Sequence, residues 1–154
     1  VRDLPRVLEL IKELADYEHG LSHVTNTVER MTLDGFGPHP VYGLFVAEDP
    51  TGFLVGISMY YYRYSTWKGK RLYLEDIVVT RSQRGQGVGA QLFERTLTKA
   101  LEEGCTGMMW QVLEWNEPAI RFYKKYGARL DPEWINCSLE SGEIVDILRK
   151  GRRA

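Results

Sequence analysis

Leu74-Glu75-Asp76-Ile77-Val78-Val79-Thr80-Arg81-Ser82-Gln83-Arg84-Gly85-Gln86-Gly87-Val88-Gly89 runs from a strand, through a glycine loop, into the start of a helix. Alternate glycines at 85, 87 and 89 let the backbone approach a ligand closely, and the exposed N–H groups of a helix start attract phosphate. Arg81 and Arg84 add two permanent positive charges beside that point. A plain glycine-rich turn is the bland alternative, but glycines, arginines and a helix start together describe an anion site.

Two phosphate-binding patterns compete for this loop. Gly85-Gln86-Gly87-Val88-Gly89-Ala90 satisfies the G-x-G-x-x-A fingerprint of dinucleotide-binding folds. Its context fails: the first glycine of that fingerprint stands at the strand end, whereas Thr80 to Arg84 intervene here. About 20 positions on, where a carboxylate should end the next strand, the chain has Gly104-Cys105-Thr106. A Walker A loop is excluded because no Gly-Lys-Ser/Thr follows.

Outward from the loop, period and punctuation set the elements. Leu4, Val7, Leu8, Ile11, Leu14 and Ala15 recur at helical spacing, with Asp3 as cap, Pro5 in the first turn and an end near Gly20. Asn26 and Glu29 form a capping-box-like pair for a second helix that Gly35 should stop. Val41–Glu48, Phe53–Tyr64 and Arg71–Val79 read as strands of a meander, the first pair joined by Asp49-Pro50-Thr51-Gly52. Val88, Leu92, Phe93, Leu97, Ala100 and Leu101 make a helical stripe ending at Gly104. Thr106–Leu113 reads as a strand and Pro118–Tyr126 as a helix, followed by a hairpin of Trp134–Leu139 and Ile144–Leu148 about Ser141-Gly142. This order implies an α/β (α+β) mixed sheet with helices on its faces.

The loop Arg84-Gly85-Gln86-Gly87-Val88-Gly89 also fits R/Q-x-x-G-x-G/A position for position, and there the chain resembles the GNAT N-acetyltransferases, whose loop binds coenzyme A pyrophosphate. Within that superfamily it is most similar to the diamine (spermidine/spermine) and thialysine acetyltransferases. The likeness runs through Ile11-Lys12-Glu13-Leu14-Ala15-Asp16-Tyr17-Glu18, Asp34-Gly35-Phe36-Gly37, Tyr61-Tyr62, Tyr73-Leu74-Glu75-Asp76, Trp115-Asn116-Glu117-Pro118 and Phe122-Tyr123-Lys124, and fades after Gly127. The fold it implies is one acyl-CoA N-acyltransferase domain over residues 1–154. Its central, mostly antiparallel sheet splays between the strands ending at Val79 and Leu113, with acetyl-CoA in the split.

The resemblance also implies roles. Glu75 matches the residue that binds the amine and takes its proton, and Tyr123 matches the general acid that protonates the departing thiolate. Ile77, Val78 and Val79 would lie along the pantetheine, with a backbone N–H for the thioester oxygen; as apolar strand residues they also serve the core. Arg84, Gly85, Gln86, Gly87, Val88, Gly89 and Ala90 would hold the pyrophosphate, and Asn116, Glu117, Pro118 and Ala119 would receive the CoA arm. Asn116 reads equally as a plain helix cap. Tyr17 and Glu18 match substrate-binding positions, where an aromatic face and a carboxylate suit a cationic amine. Strict strand alternation sends Asp76 to the face opposite Glu75 and favours a structural role, although its charge could still help attract a cationic substrate. Tyr126 reads as packing, as does half of the run Tyr60-Tyr61-Tyr62-Tyr64-Trp67.

The function implied is acetyl transfer to a small primary amine by direct attack in a ternary complex. Acetylation of proteins or peptides, and a silent acyl-CoA sensor, are the alternatives. The chain departs from the family in opening at Val1, without the short strand expected first, and in carrying Ser65 where spermidine/spermine enzymes have an acid. A homodimer is implied by the resemblance and fits an aromatic content of 12%.

Composition bounds the rest. One domain suits 154 residues, and 44% hydrophobic with 27% charged residues is a globular balance. Twenty Lys and Arg against 21 Asp and Glu leave a net charge of −1, which argues against nucleic-acid or membrane binding through bulk charge. The basic cluster Arg149-Lys150-Gly151-Arg152-Arg153 reads as a solvated tail. Cys105, Cys137 and three histidines (His19, His23, His39) form no metal spacing, so no metal is expected. Two unpatterned thiols and no signal peptide or spanning stretch point to the cytoplasm.

Overall fold

Pro5 in the first turn and an apolar stripe produce α1 (Leu4–Tyr17) in the computed structural model, which describes residues 1–151. Asp3 stands at the cap position, but its side chain makes no capping bond and pairs with Arg2 at 3.5 Å instead. The stripe is rotated from the spacing read in sequence: Leu4, Val7 and Leu10 are fully buried, while Leu8, Ile11 and Leu14 pack around them. In α2 (Val28–Phe36) the cap is Thr27, whose hydroxyl accepts the Arg30 N–H at 3.2 Å; Asn26 instead accepts the N–H of Thr27. Gly35 does not stop this helix, which ends at Gly37.

The chain packs as two units, Val1–Gln111 and Val112–Ala154. The first holds a four-stranded sheet in the order β1 (Gly43–Glu48), β2 (Leu54–Ser65), β3 (Gly69–Val79), β4 (Met108–Met109). The first three are an antiparallel meander, and β4 runs parallel to β3. The strand expected over Thr106–Leu113 is limited to two residues, paired as Leu72↔Met108 and Tyr73↔Met109. The pairing stops just before an irregularity in β3. Met59 faces Asp76 and Tyr60 faces Leu74, so Glu75 is an extra residue, and such a bulge bends a strand and ends its ladder.

Helices cover both faces of this sheet. Ile57 joins Leu4, Val7, Leu10, Met31, Leu54 and Val78 in the core beneath α1 and α2. Its neighbour Ser58 points the other way, to a buried 2.6 Å hydrogen bond with Thr96 of α3 (Val88–Glu102). Thr96 spends its only proton on the Leu92 carbonyl, so Ser58 is the donor of that bond. Tyr60, Leu72 and Ala100 form the second core cluster. Each fully buried leucine contributes about 1.5–3 kcal/mol, so α1 and α3 fix the sheet from opposite sides.

In the second unit, α4 (Glu117–Lys125) starts at Asn116, whose side chain accepts the Ala119 N–H at 3.4 Å. The C-terminal hairpin expected from the sequence is not formed: Ser141–Gly151 is a helix, α5, and Trp134–Leu139 is not a strand. Glu143 decides it locally, since its carboxylate accepts the Glu140 N–H at 2.7 Å as half of a capping box. Ile144, Ile147 and Leu148 then fall at helical spacing. Arg149 and Lys150 are exposed in its last turn, while Arg152 and Arg153 of the basic tail lie outside the described residues.

Candidate active site

The glycine loop folds as its residues dictate. Thr80 leaves β3, Arg81–Gln83 make one tight turn, and α3 begins after Gly87. Gly85 (φ 77°) and Gly87 (φ 84°) both adopt the left-handed conformation that side chains oppose, and open space surrounds the position of a Cβ at each. The first α3 bond returns from the Gln91 N–H to the Gly87 carbonyl. The N–H groups of Val88, Gly89 and Ala90 are therefore first-turn donors, with no side-chain cap and no acidic residue beside them. That is an anion site in its simplest form. Arg84 is fixed over it: Nε donates to the Val79 carbonyl at 2.8 Å, and the guanidinium lies 5.6 Å from the Tyr17 ring centroid.

Ile77, Val78 and Val79 pair with Ser58, Ile57 and Gly56 on one side. On the other side, among the described residues, no strand pairs with β3 beyond Tyr73. The stretch from Leu74 to Val78 thus has no strand partner on that side, next to the anion loop, as an extended ligand arm would require. The Val79 carbonyl at its end is taken by Arg84.

At the head of that edge lies the bulge. It re-aims the exposed Glu75 and overturns the opposite-face placement of Asp76. Asp76 pairs with Met59, which packs on the α1 core, and feels the charges of both Glu75 and Glu18. Tyr61 and Tyr73, paired across the strands with ring centroids 5.0 Å apart, join the same neighbourhood. Burial and then the Glu75 charge hold both phenols above their ordinary range. From the sequence, Tyr73 has no part in the site, and Asp76 has only a charge that could help attract a cationic substrate. The signal was two adjacent acids inside a strand, which strict alternation cannot accommodate on one face.

Burial first, then the charges of Glu75 and Glu18, push the Asp76 carboxyl up to about 6. A folded-state value above the unfolded ~3.9 means the fold prefers the protonated acid. Its contribution is complete below pH 4 and is lost as pH rises through 6. Two units correspond to about 3 kcal/mol at most. Asp76→Asn should therefore raise Tm by about 4–8 °C at pH 8 and leave it unchanged at pH 4. Thermal melts at both pH values check this; an equal Tm difference at the two would contradict it.

Glu18 caps the end of α1, and partial burial raises its carboxyl above the usual range. Tyr17, next to it and matched to the amine, has its ring 5.6 Å from the Arg84 guanidinium. The Ser65 hydroxyl is occupied by the β2–β3 turn, where it accepts the N–H groups of Trp67 and Lys68 at 3.3 and 3.2 Å. Tyr64 and Trp67 are exposed, at 76% and 85%. Within the second unit, Tyr123 is buried in α4 and packs edge-on to Phe122 at 5.3 Å, while Tyr126 packs on the other side of Phe122. Asn116 is the cap of α4, with Glu117, Pro118 and Ala119 in its first turn. Among the described residues, no group of three or more His, Cys, Asp or Glu side chains is placed to hold a metal ion, and no helix is long and apolar enough to cross a membrane.

The chain is similar to known proteins. The Acetyltransferase (GNAT) family profile matches residues 6–128. Thialysine N-epsilon-acetyltransferase of Bos taurus is 40% identical over 152 residues, covering 93% of this chain and 89% of that protein. Spermidine/spermine N(1)-acetyltransferase-like protein 1 of Homo sapiens is also 40% identical, over 94% of this chain but 22% of its own length. In fold, an aminoglycoside acetyltransferase from an uncultured soil metagenomic sample, solved with sisomicin, superposes with a TM-score of 0.73 at 19% identity, covering 90% of this chain and 91% of its own.

Proposed function

We propose that this chain, which belongs to the acetyltransferase (GNAT) family, moves the acetyl group of acetyl-CoA to the primary amine of a small amino acid of the thialysine or lysine type, ahead of diamines and polyamines. The observation that carries the reading is one continuous surface of the first unit. It comprises the α3 anion loop, the β3 edge and the bulged Glu75 with Asp76 and Glu18. A thialysine acetyltransferase at 40% identity, and the uncharged Ser65 committed to its turn, support the short substrate over a long polycation.

Acetyl-CoA supplies an activated thioester; the chain supplies position and protons. The Arg84–Ala90 loop would take the pyrophosphate, the Ile77–Val79 edge the pantetheine, and Asn116, Glu117, Pro118 and Ala119 the remainder of the arm. Glu18 and Glu75 would gather the ammonium. An amine of pKa ~10.4 must be deprotonated at a cost of roughly 4–5 kcal/mol at pH 7, and Glu75, directly or through water, is the acceptor. The free nitrogen would attack the thioester carbon and pass its surplus proton to water. The C–S bond would break, and Tyr123 would give its proton to sulfur and be reprotonated from solvent. The chain acts throughout as one acetyltransferase domain. A thiol-release assay over thialysine, lysine, ornithine, putrescine, spermidine and an N-terminal peptide tests it. The highest kcat/KM is expected on the carboxylate-bearing amines; acetyl-CoA binding with silence on every amine would sink the enzyme reading in favour of a sensor.

The same proposal includes a homodimer in the cytoplasm. Exposed Trp134 and Ile135, at 75% and 87%, are apolar surface suited to a second copy, and Cys105 and Cys137 are both free thiols. Sedimentation velocity should return twice the chain mass at micromolar concentration; a monomer there would overturn the dimer.

A further inference from the structure

Two contacts tie α1 to the anion loop, one helical turn apart on the same face. Glu13 Oε2 accepts the Thr80 hydroxyl at 2.8 Å, at the point where β3 becomes the loop. Its other oxygen accepts from Arg6 at 3.1 Å, and Arg6 in turn donates to the Leu54 carbonyl. Four residues on, Tyr17 lies beneath Arg84. The Arg84 guanidinium is thus held at Nε by the Val79 carbonyl and lies over an aromatic ring, 5.6 Å from its centroid. Its two terminal nitrogens form the fork that matches two oxygens of an anion.

We propose that the Glu13–Tyr17 face of α1 is the seat of the cofactor loop, and that Tyr17 is a positioning residue for Arg84. This rests on the acetyl-CoA placement proposed above. An arginine on an exposed loop samples many rotamers, and ordering it on binding costs affinity. The ring removes that freedom in advance and adds the attraction of its negative face for the cation. Only the ring is needed, so the hydroxyl is dispensable for this role. Because Tyr17 and Glu18 are neighbours at the end of α1, the helix that aims the cofactor arginine also places an amine carboxylate.

Calorimetric titration with acetyl-CoA, paired with steady-state kinetics, tests the assignment. Tyr17→Leu should weaken acetyl-CoA binding three- to tenfold in a variant of unchanged Tm. Tyr17→Phe should restore wild-type affinity. Tyr17 is 37% exposed, so the helix end tolerates replacement, and Tyr17→Gln provides a second ringless variant. In an Arg84→Gln background, Tyr17→Leu should add less than twofold, because the ring then has no cation to hold. A raised amine KM with unchanged acetyl-CoA affinity would leave Tyr17 to the amine alone and overturn the inference. So would a full additional loss in the Arg84→Gln background. Wild-type chain that binds no acetyl-CoA would overturn the cofactor placement itself, and this inference with it.

Discussion

Tyr123→Phe should lower turnover by about 10²–10⁴, the range general acid catalysis commands, and leave acetyl-CoA affinity nearly intact. The substitution removes one oxygen and keeps the ring, so the packing of Tyr123 against Phe122 in α4 survives. A phenol near pKa 10 remains protonated at neutral pH, and a coenzyme thiolate with a conjugate acid near 8.5 leaves unaided only slowly. The loss should fall on kcat and kcat/KM together, because the interaction is made as the C–S bond breaks rather than in the ground state. Measured turnover within threefold of wild type, in a variant of unchanged Tm, would remove Tyr123 as the acid.

Glu75→Gln should act on a different quantity. It removes the charge that gathers the ammonium and the acceptor of its proton, so the amine KM rises and kcat/KM for the amine falls about 10²-fold at pH 7. At that pH only about one amine in 2,500 is neutral, given a pKa of ~10.4. Each pH unit upward raises that fraction about tenfold, so the deficit should shrink steadily toward pH 9. Its neighbour sharpens the expectation. Asp76, held up to about 6, is mostly ionised at pH 7, so some ammonium attraction persists while the proton route is lost. A deficit that does not change with pH would reduce Glu75 to positioning.

Much of this was legible in residues 74 to 89. Alternate glycines ahead of an amphipathic stripe require a turn with left-handed backbone and then a helix start, and Gly85, Gly87 and Val88 adopt just that arrangement. The meander was equally local: β-branched and aromatic runs separated by Asp-Pro-Thr-Gly have few other solutions, and Asp49 caps its own turn by accepting from Thr51 and Phe53. The C-terminal segment was misread because Ile144–Leu148 is short and apolar, a pattern that suits strand and helix alike. Glu143 settles it through one backbone contact.

The sequence by itself determined the elements whose causes are local: the period of α1 and α3, the glycine loop, the cap at Asn116 and the near-neutral charge. It also carried a family likeness strong enough to name the chemistry. Only the tertiary structure decided where side chains meet. The bulge at Glu75 arises from the register of β3 against β2, a relation between strands that no single segment encodes. It reverses the face on which Asp76 falls, because one inserted residue shifts a period of two. Tyr17 beneath Arg84 and Glu13 on Thr80 likewise depend on how α1 lies across the sheet. That placement is set by the burial of Leu4, Val7 and Leu10 against Ile57 and Val78, contacts between residues far apart along the chain.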